Sequence, residues 1–334
     1  MKYFSTFSGI GGFEIGIHAA YIKHALISKK SEQKKRPQRR ERAIDQWKLL
    51  LHSGDGSAPL CVGYSEIDKY ASSVYEYHFK GAKNYGDITK INASELPEFD
   101  CLVGGFPCQA FSVAGKRGGF NDTRGTLFFN LARILREKQP RYFVFENVKG
   151  LLSHDQGRTF ATIISTIDEL GYDCQWQVLN SKNFGVPQNR ERIIIVGHLR
   201  GTPRPQVFPF EGTNTKDTRI CGEDLSYTID ANYHKGTNTL EKGRRQLIEY
   251  SARHESRVYK DISPTVQSSY GTGGGHVPFV DAIRKLTPTE CERLQGFPDG
   301  WTEGVSDTQR YKTLGNAVTV NVVKDIFEKL LINT

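Results

Sequence analysis

The chain has 334 residues, with 45 Lys or Arg against 37 Asp or Glu and a formal net charge of +8, which permits an anionic partner. No apolar run approaches the roughly 18 residues of a membrane span, and "MKYFSTFSGIGG" runs straight into a strand-like segment without a signal peptide, so a cytoplasmic protein is expected. The six cysteines (Cys61, Cys101, Cys108, Cys174, Cys221, Cys291) form no CxxC pair and the nine histidines show no ligand spacing, which argues against a disulfide framework and against a metal site.

In chain order, "KYFSTF" reads as a strand and "GGFEIGIHAAYIKHAL" as the helix after it. Residues 29–42, "KKSEQKKRPQRRER", hold eight basic and two acidic side chains. Such a run is either a solvated segment or a phosphate-contacting patch. Ala43, Ile44, Trp47, Leu50 and Leu51 follow at helical spacing before Gly54, predicting a short amphipathic helix. "LCVGYSEI", "FDCLVGGF" and "RYFVFENV" read as further strands, interleaved with helical "KYASSVYEYHF", "GTLFFNLARILREK" and "FATIISTIDELG"; "CQWQVLN" and "RIIIVGHL" complete the series. Strands alternating with helices of this length predict an α/β fold, a doubly wound, mostly parallel sheet with helices on both faces.

After about residue 199 the texture turns to Gly, Pro, Thr, Asn and Tyr with short β-like runs, as in a smaller, loop-rich domain inserted into the first. The expected division is 1–199, 200–304 and a return to the first domain over 305–334, with helical signals at "TPTECERLQGF" and from Leu314 to Leu331. Within the insertion, "LSYTIDANYHKG" (225–236) and "ISPTVQSSYGTG" (262–273) share a pattern, either by coincidence or as two strand–loops facing one ligand.

Chemistry concentrates where strands should end. "FSGIGGFE" offers glycines at 9, 11 and 12 for a tight turn at a helix start, but Glu14 stands where a dinucleotide fingerprint needs its last glycine, favouring another nucleoside cofactor. Glu66 and Asp87 follow the next β segments and either cap helices or accept from ribose and adenine groups. "GGFPCQAFSVAG" releases Cys108 at the carboxyl edge of a buried strand, in a frame where Gly-Gly allows close substrate approach. A lone cysteine is otherwise an inert core residue. "FVFENV" ends in Glu146, which caps the next helix or gives a proton or hydrogen bond to a substrate. Arg190 and Arg192 in "QNRERIIIV" fall on one side of an extended segment and could orient a phosphate or a carboxylate, or form a surface pair.

Taken together, "FSGIGG", "GGFPCQAFSVAG", "FENVKG", "QNRERIIIVG", "RKLTPTECERLQGFPDGW" and "LGNAVTVNV" stand in one order. In these blocks the chain resembles the bacterial DNA (cytosine-5) methyltransferases of restriction-modification or phage type, from residue 3 to the C-terminal helix. The resemblance implies S-adenosyl-L-methionine as cofactor, held by Phe7, Gly9, Gly11, Gly12, Glu66, Ile67, Asp87, Ile88, Leu127 and Asn316. It implies that the Cys108 thiolate attacks carbon 6 of a flipped cytosine in double-stranded DNA. Glu146 would engage ring nitrogen 3 and the exocyclic amine, Arg192 the base, and Arg190 the pocket and the catalytic carboxylate. DNA contacts would come from Gln109 and Ser112 in the loop after the cysteine and from Asn232, His234, Lys235, Thr265, Gln267 and Ser269 in the recognition segment. No metal and no membrane are implied, and a monomer is expected. Two other readings stand beside this one: a tRNA methyltransferase of the same fold, and a catalytically silent DNA-binding relic.

The interval between the glycine turn and "YSEID" is longer than this family commonly shows, and the target sequence does not carry over.

Overall fold

The computed structural model describes residues 1–32, 58–107, 127–210, 226–227 and 286–332. The proposed helix over Ala43–Leu51, most of the basic run and all but Ser226–Tyr227 of the two echoing segments lie outside these residues. Six strands form one sheet: β1 (Lys2–Thr6), β2 (Leu60–Ser65), β3 (Cys101–Gly105), β4 (Tyr142–Val148), β5 (Tyr172–Asn180) and β7 (Glu191–Leu199), with the short β6 (Gln188–Asn189) between the last two. Their order is β2-β1-β3-β4-β7-β5. β1, β2, β3 and β4 pair in parallel, while β7 runs antiparallel to both β4 and β5. The chain steps from β1 outward to β2 and then returns to place β3 on the other side of β1. That reversal opens a crevice at the carboxyl ends of β1 and β3, where open α/β sheets take their ligands.

Alternation along the strands supplies both faces. Phe4, Leu102, Phe143, Phe145, Ile193 and Ile195 point to one side and meet Leu131 and Leu135 of α3 (Leu127–Lys138) and Ile163 and Ile167 of α4 (Arg158–Glu169). Tyr3, Cys101, Val103, Tyr142, Val144 and Ile194 point to the other and meet Phe13 and Ile17 of α1 (Gly12–Glu32) and Val323, Ile326 and Phe327 of α7 (Val320–Ile332). Apolar residues at i, i+3, i+4 and i+7 of α3 (Phe128, Leu131, Ala132, Leu135) are all buried, so this helix docks by a single stripe. The doubly wound architecture read from the sequence is the one observed.

The glycine pair at the end of β3 lets the neighbouring strands' side chains pack closely. A Cβ at Gly104 would lie 2.1 Å from Thr6 Oγ1, and one at Gly105 would lie 3.1 Å from Glu146 Oε2. Thr6 and Glu146 of the neighbouring strands lie against these positions. Thr6 is fixed there, donating from Oγ1 to the Val103 carbonyl at 2.9 Å. Gly104→Ala is therefore expected to destabilise the protein by about 1–3 kcal/mol, read from a denaturant midpoint shifted at unchanged slope.

The single helix expected from Leu314 to Leu331 is instead two, α6 (Asp307–Asn316) and α7. Ala317 takes an extended conformation (φ −68°, ψ 149°) and ends α6. The break is stabilised from outside: Arg190 donates through Nη1 to the Gly315 carbonyl at 3.2 Å and through Nη2 to the Ala317 carbonyl at 2.9 Å. Carbonyls that a continuous helix would use internally are satisfied by a buried guanidinium, a long-range contact no local pattern announces. Upstream, Thr287 and Glu290 form a capping box that starts α5 (Pro288–Gln295). Residues that the sequence groups with the insertion, Leu286, Leu294, Phe297 and Trp301, pack with Ile10 and Tyr64 and with Val74, Tyr75 and Phe79 in and just after α2 (Lys69–His78).

Candidate active site

The turn after β1 has an unusual backbone. Phe7, Gly9 and Gly11 all have positive φ (50°, 56° and 88°), a region that favours glycine. A Cβ at Gly11 would sit 2.3 Å from the Phe79 ring, whereas one at Gly9 would meet nothing within 4 Å, so Gly9 faces open space. Glu66 holds this turn against the end of β2. Its Oε2 accepts from the Gly9 N–H at 2.8 Å, and Oε1 accepts from the Ile67 and Asp68 N–H groups at 2.9 and 2.8 Å. Beside it Ile67 leaves its apolar side chain 76% exposed. Asp87 accepts from the Thr89 hydroxyl and N–H, which hold its carboxyl below the usual carboxylate range. Ile88 buries its side chain, and its carbonyl accepts from Arg133 Nη2 at 2.9 Å. Leu127 opens α3, and Asn316, exposed, closes α6.

Glu14, the residue that breaks the dinucleotide fingerprint, is buried in the first turn of α1. Its Oε1 accepts from the Tyr75 hydroxyl at 3.0 Å. Burial pushes its carboxyl from about 4.5 up to about 7. The folded protein keeps a proton there that the unfolded chain releases, so this group costs stability as pH rises from about 4.5 to 7. Glu14→Gln is expected to match the native protein near pH 4 and to exceed its stability by about 3 kcal/mol at pH 8. Equal unfolding free energies of the two proteins at both pH values would contradict this.

The second half of the crevice lies between β3 and β4. Gly105 is the register partner of Glu146. Arg192 Nε lies 2.9 Å from Glu146 Oε1, with the two side chains only 19% and 12% exposed. No side chain caps the 3₁₀ turn after β4, so Glu146 is a partner of Arg192 rather than a helix cap. Arg190 and Arg192 part company: Arg192 turns to Glu146, while Arg190 is buried and reaches the carbonyls flanking Asn316.

Asn147, which the sequence reading passed over, donates from Nδ2 to the Phe106 carbonyl at 2.9 Å and accepts from the Val148 N–H at 2.8 Å. It ties the end of β4 to the main chain two residues before Cys108. An asparagine interrupting an apolar strand beside a carboxylate was its only sequence signal.

Cys108, Gln109 and Ser112 lie outside the described residues, as do Asn232, His234, Lys235, Thr265, Gln267 and Ser269. The four described cysteines are poor nucleophiles, because burial pushes Cys174 up to about 11, Cys61 and Cys291 up to about 12, and Cys101 higher still. β8 (Ser226–Tyr227) pairs in parallel with β6, directly before Arg190.

A family model for the C-5 cytosine-specific DNA methylases matches residues 58–331. The chain belongs to this family. It is 43% identical over 285 residues to the type II methyltransferase M1.ScrFI of Lactococcus lactis subsp. cremoris, covering 80% of this chain and 71% of the relative. It is 44% identical over 278 residues to M.SsoII of Shigella sonnei (80% and 73% covered) and 41% identical over 284 residues to M.HhaI of Haemophilus parahaemolyticus (80% and 86% covered). Among solved structures, the Dnmt2 methyltransferase of S. pombe shares the fold at a TM-score of 0.67 and 18% identity, covering 99% of this chain and 98% of that one.

As a cytosine-5 DNA methylase the protein uses S-adenosyl-L-methionine. The residues present fit it: Gly9 faces open space, Ile67 leaves apolar surface uncovered, and Glu66 and Asp87 supply carboxylates on neighbouring segments. Among the described residues no helix is long and apolar enough to cross a membrane, and no group of three or more His, Cys, Asp or Glu could hold a metal ion.

Proposed function

We propose that the chain is a site-specific DNA methyltransferase that modifies carbon 5 of a cytosine flipped out of duplex DNA. The observation that carries this reading is the Glu146–Arg192 ion pair, set opposite Gly105 at the strand end that leads into Cys108.

The Cys108 thiolate adds to carbon 6 of the cytosine, and the electrons of the 5,6 double bond shift toward ring nitrogen 3. Glu146 gives a proton or hydrogen bond at that nitrogen and binds the exocyclic amine. Arg192 fixes the carboxyl group and contacts the base. S-Adenosyl-L-methionine, when bound, supplies an electrophilic methyl group to carbon 5. Loss of the carbon 5 proton restores the double bond, and the C–S bond breaks to release Cys108. A pyrimidine is a poor electrophile, so thiolate and acid must act on opposite parts of the ring together. Asn147 holds the main chain before Cys108, and Arg190 holds the Gly315–Ala317 turn around Asn316.

Phe7, Gly9, Gly11, Gly12, Glu66, Ile67, Asp87, Ile88, Leu127 and Asn316 form the cofactor pocket in this reading. Residues 1–199 and 305–334 make the catalytic unit, and 200–304 the recognition part and its hinge, whose 286–302 end packs on the catalytic unit. Gln109, Ser112 and the six candidates in the recognition part contact DNA, and the protein works as a monomer in the cytoplasm, at the nucleoid. Bisulfite mapping of DNA from cells expressing the protein tests the assignment and reveals the target. One short motif methylated at carbon 5 is the expected result. Methyl transfer to tRNA but not to duplex DNA would favour the tRNA branch, and transfer to neither a binding relic.

A further inference from the structure

Outside the blocks that carry the family resemblance, one side chain touches both cofactor carboxylate segments. Residues 83–85 run beside β2: the Tyr64 N–H donates to the Lys83 carbonyl at 3.0 Å, the Tyr85 N–H to the Tyr64 carbonyl at 2.7 Å, and Tyr64 and Asn84 pair in parallel. From this position the amide of Asn84 points along the sheet edge toward Glu66. Its Oδ1 accepts from the Glu66 N–H at 3.2 Å and from the Gly86 N–H at 2.9 Å. Its Nδ2 donates to the Glu66 carbonyl at 3.2 Å and to Ser72 Oγ at 3.3 Å. An asparagine amide has two donors and an acceptor oxygen with two lone pairs, and all four capacities are used.

We infer that Asn84 is a positioning residue for the cofactor, setting the separation between the Glu66 and Asp87 carboxylates. It clamps both main-chain polar groups of Glu66 and the N–H of Gly86, the residue before Asp87. Gly86 has φ +67°, a turn with no fixed direction of its own, and Ser65 Oγ donates to its carbonyl at 2.6 Å as a second tie. Without the amide, nothing else among the described contacts links Glu66 directly to the turn carrying Asp87. The pocket would then have to be ordered when the ligand binds, and affinity would fall while the chemistry at Cys108 and Glu146 stays as it is. Ser72 extends the clamp to α2, so the amide's orientation is itself fixed.

This inference rests on the reading of Glu66 and Asp87 as cofactor residues. The test is a double-mutant cycle on the full chain, with S-adenosyl-L-homocysteine as the titrated probe in calorimetry. Glu66→Ala and Asp87→Ala should each weaken binding. Asn84→Ala should weaken it roughly tenfold, and kcat at saturating cofactor should stay within about twofold of native. In the Glu66→Ala background the same change should cost less than about threefold, because the group it positions is gone. Asn84→Asp, which keeps the acceptor and loses both donor bonds, should fall between native and Asn84→Ala, and it serves if the alanine variant does not fold. An undiminished tenfold loss in the Glu66→Ala background, or no loss from either Asn84 variant while Glu66→Ala weakens binding, would overturn the inference alone. Unchanged binding in Glu66→Ala and Asp87→Ala would overturn the pocket assignment and the inference with it.

Discussion

Cys108→Ala is expected to lower methyl transfer by at least about 10⁴-fold, because no other cysteine among the described residues can begin the reaction. Carbon 6 of cytosine yields only to a soft, deprotonated nucleophile held against it. The four described cysteines, Cys61, Cys101, Cys174 and Cys291, cannot substitute, since burial keeps their thiols protonated near neutral pH. Cys101, which opens β3, is the closest in sequence and is fully buried. DNA affinity should survive, because register and attachment come from phosphate and groove contacts away from the thiol. Initial rates on duplex DNA, together with binding isotherms on the same duplex, check both halves. A variant that keeps more than about a hundredth of native turnover would remove Cys108 from the mechanism.

Glu146→Gln should have the second largest effect, a loss of about 10²–10⁴ in kcat with little change in affinity for DNA. The amide is nearly isosteric and can still accept from Arg192 Nε, so the crevice should keep its shape. It cannot pass a proton to ring nitrogen 3. Arg192→Ala should cost less, and the double variant should be no worse than about threefold below Glu146→Gln, since the guanidinium acts by holding the carboxyl group. Full additivity in kcat would instead mean that Arg192 acts on the base without Glu146.

The βαβ series was legible because each strand is a short apolar run and each helix a single stripe, as "FDCLVGGF" and "GTLFFNLARILREK" illustrate. Local pattern failed where a distant residue decides. The break between α6 and α7 depends on Arg190, more than a hundred residues upstream, reaching the Gly315 and Ala317 carbonyls. Nor does local pattern show that Thr6 and Glu146 on the neighbouring strands lie against Gly104 and Gly105. Glu66 and Glu146 stood out as carboxylates closing apolar runs, and Asp87 as one in a short β-like segment after a glycine. The amides that hold their surroundings, Asn84 and Asn147, did not, because an asparagine near a turn has too many ordinary uses to signal one. Glu66 and Asp87 accept from local N–H groups, the bonds expected of helix caps, and these leave lone pairs for the ligand contacts proposed above.

The most direct measurement traps the adduct. A duplex carrying 5-fluorocytosine at the mapped target has no proton to lose from carbon 5, so after methyl transfer the C–S bond has no route to break. Incubated with S-adenosyl-L-methionine, the native protein should give a complex that survives denaturation, and peptide mass mapping should place the nucleotide on Cys108. Cys108→Ala should give no such complex while still binding the duplex. A denaturation-resistant complex in the alanine variant, or a nucleotide mapped to another residue, would contradict the assignment of Cys108 as the nucleophile.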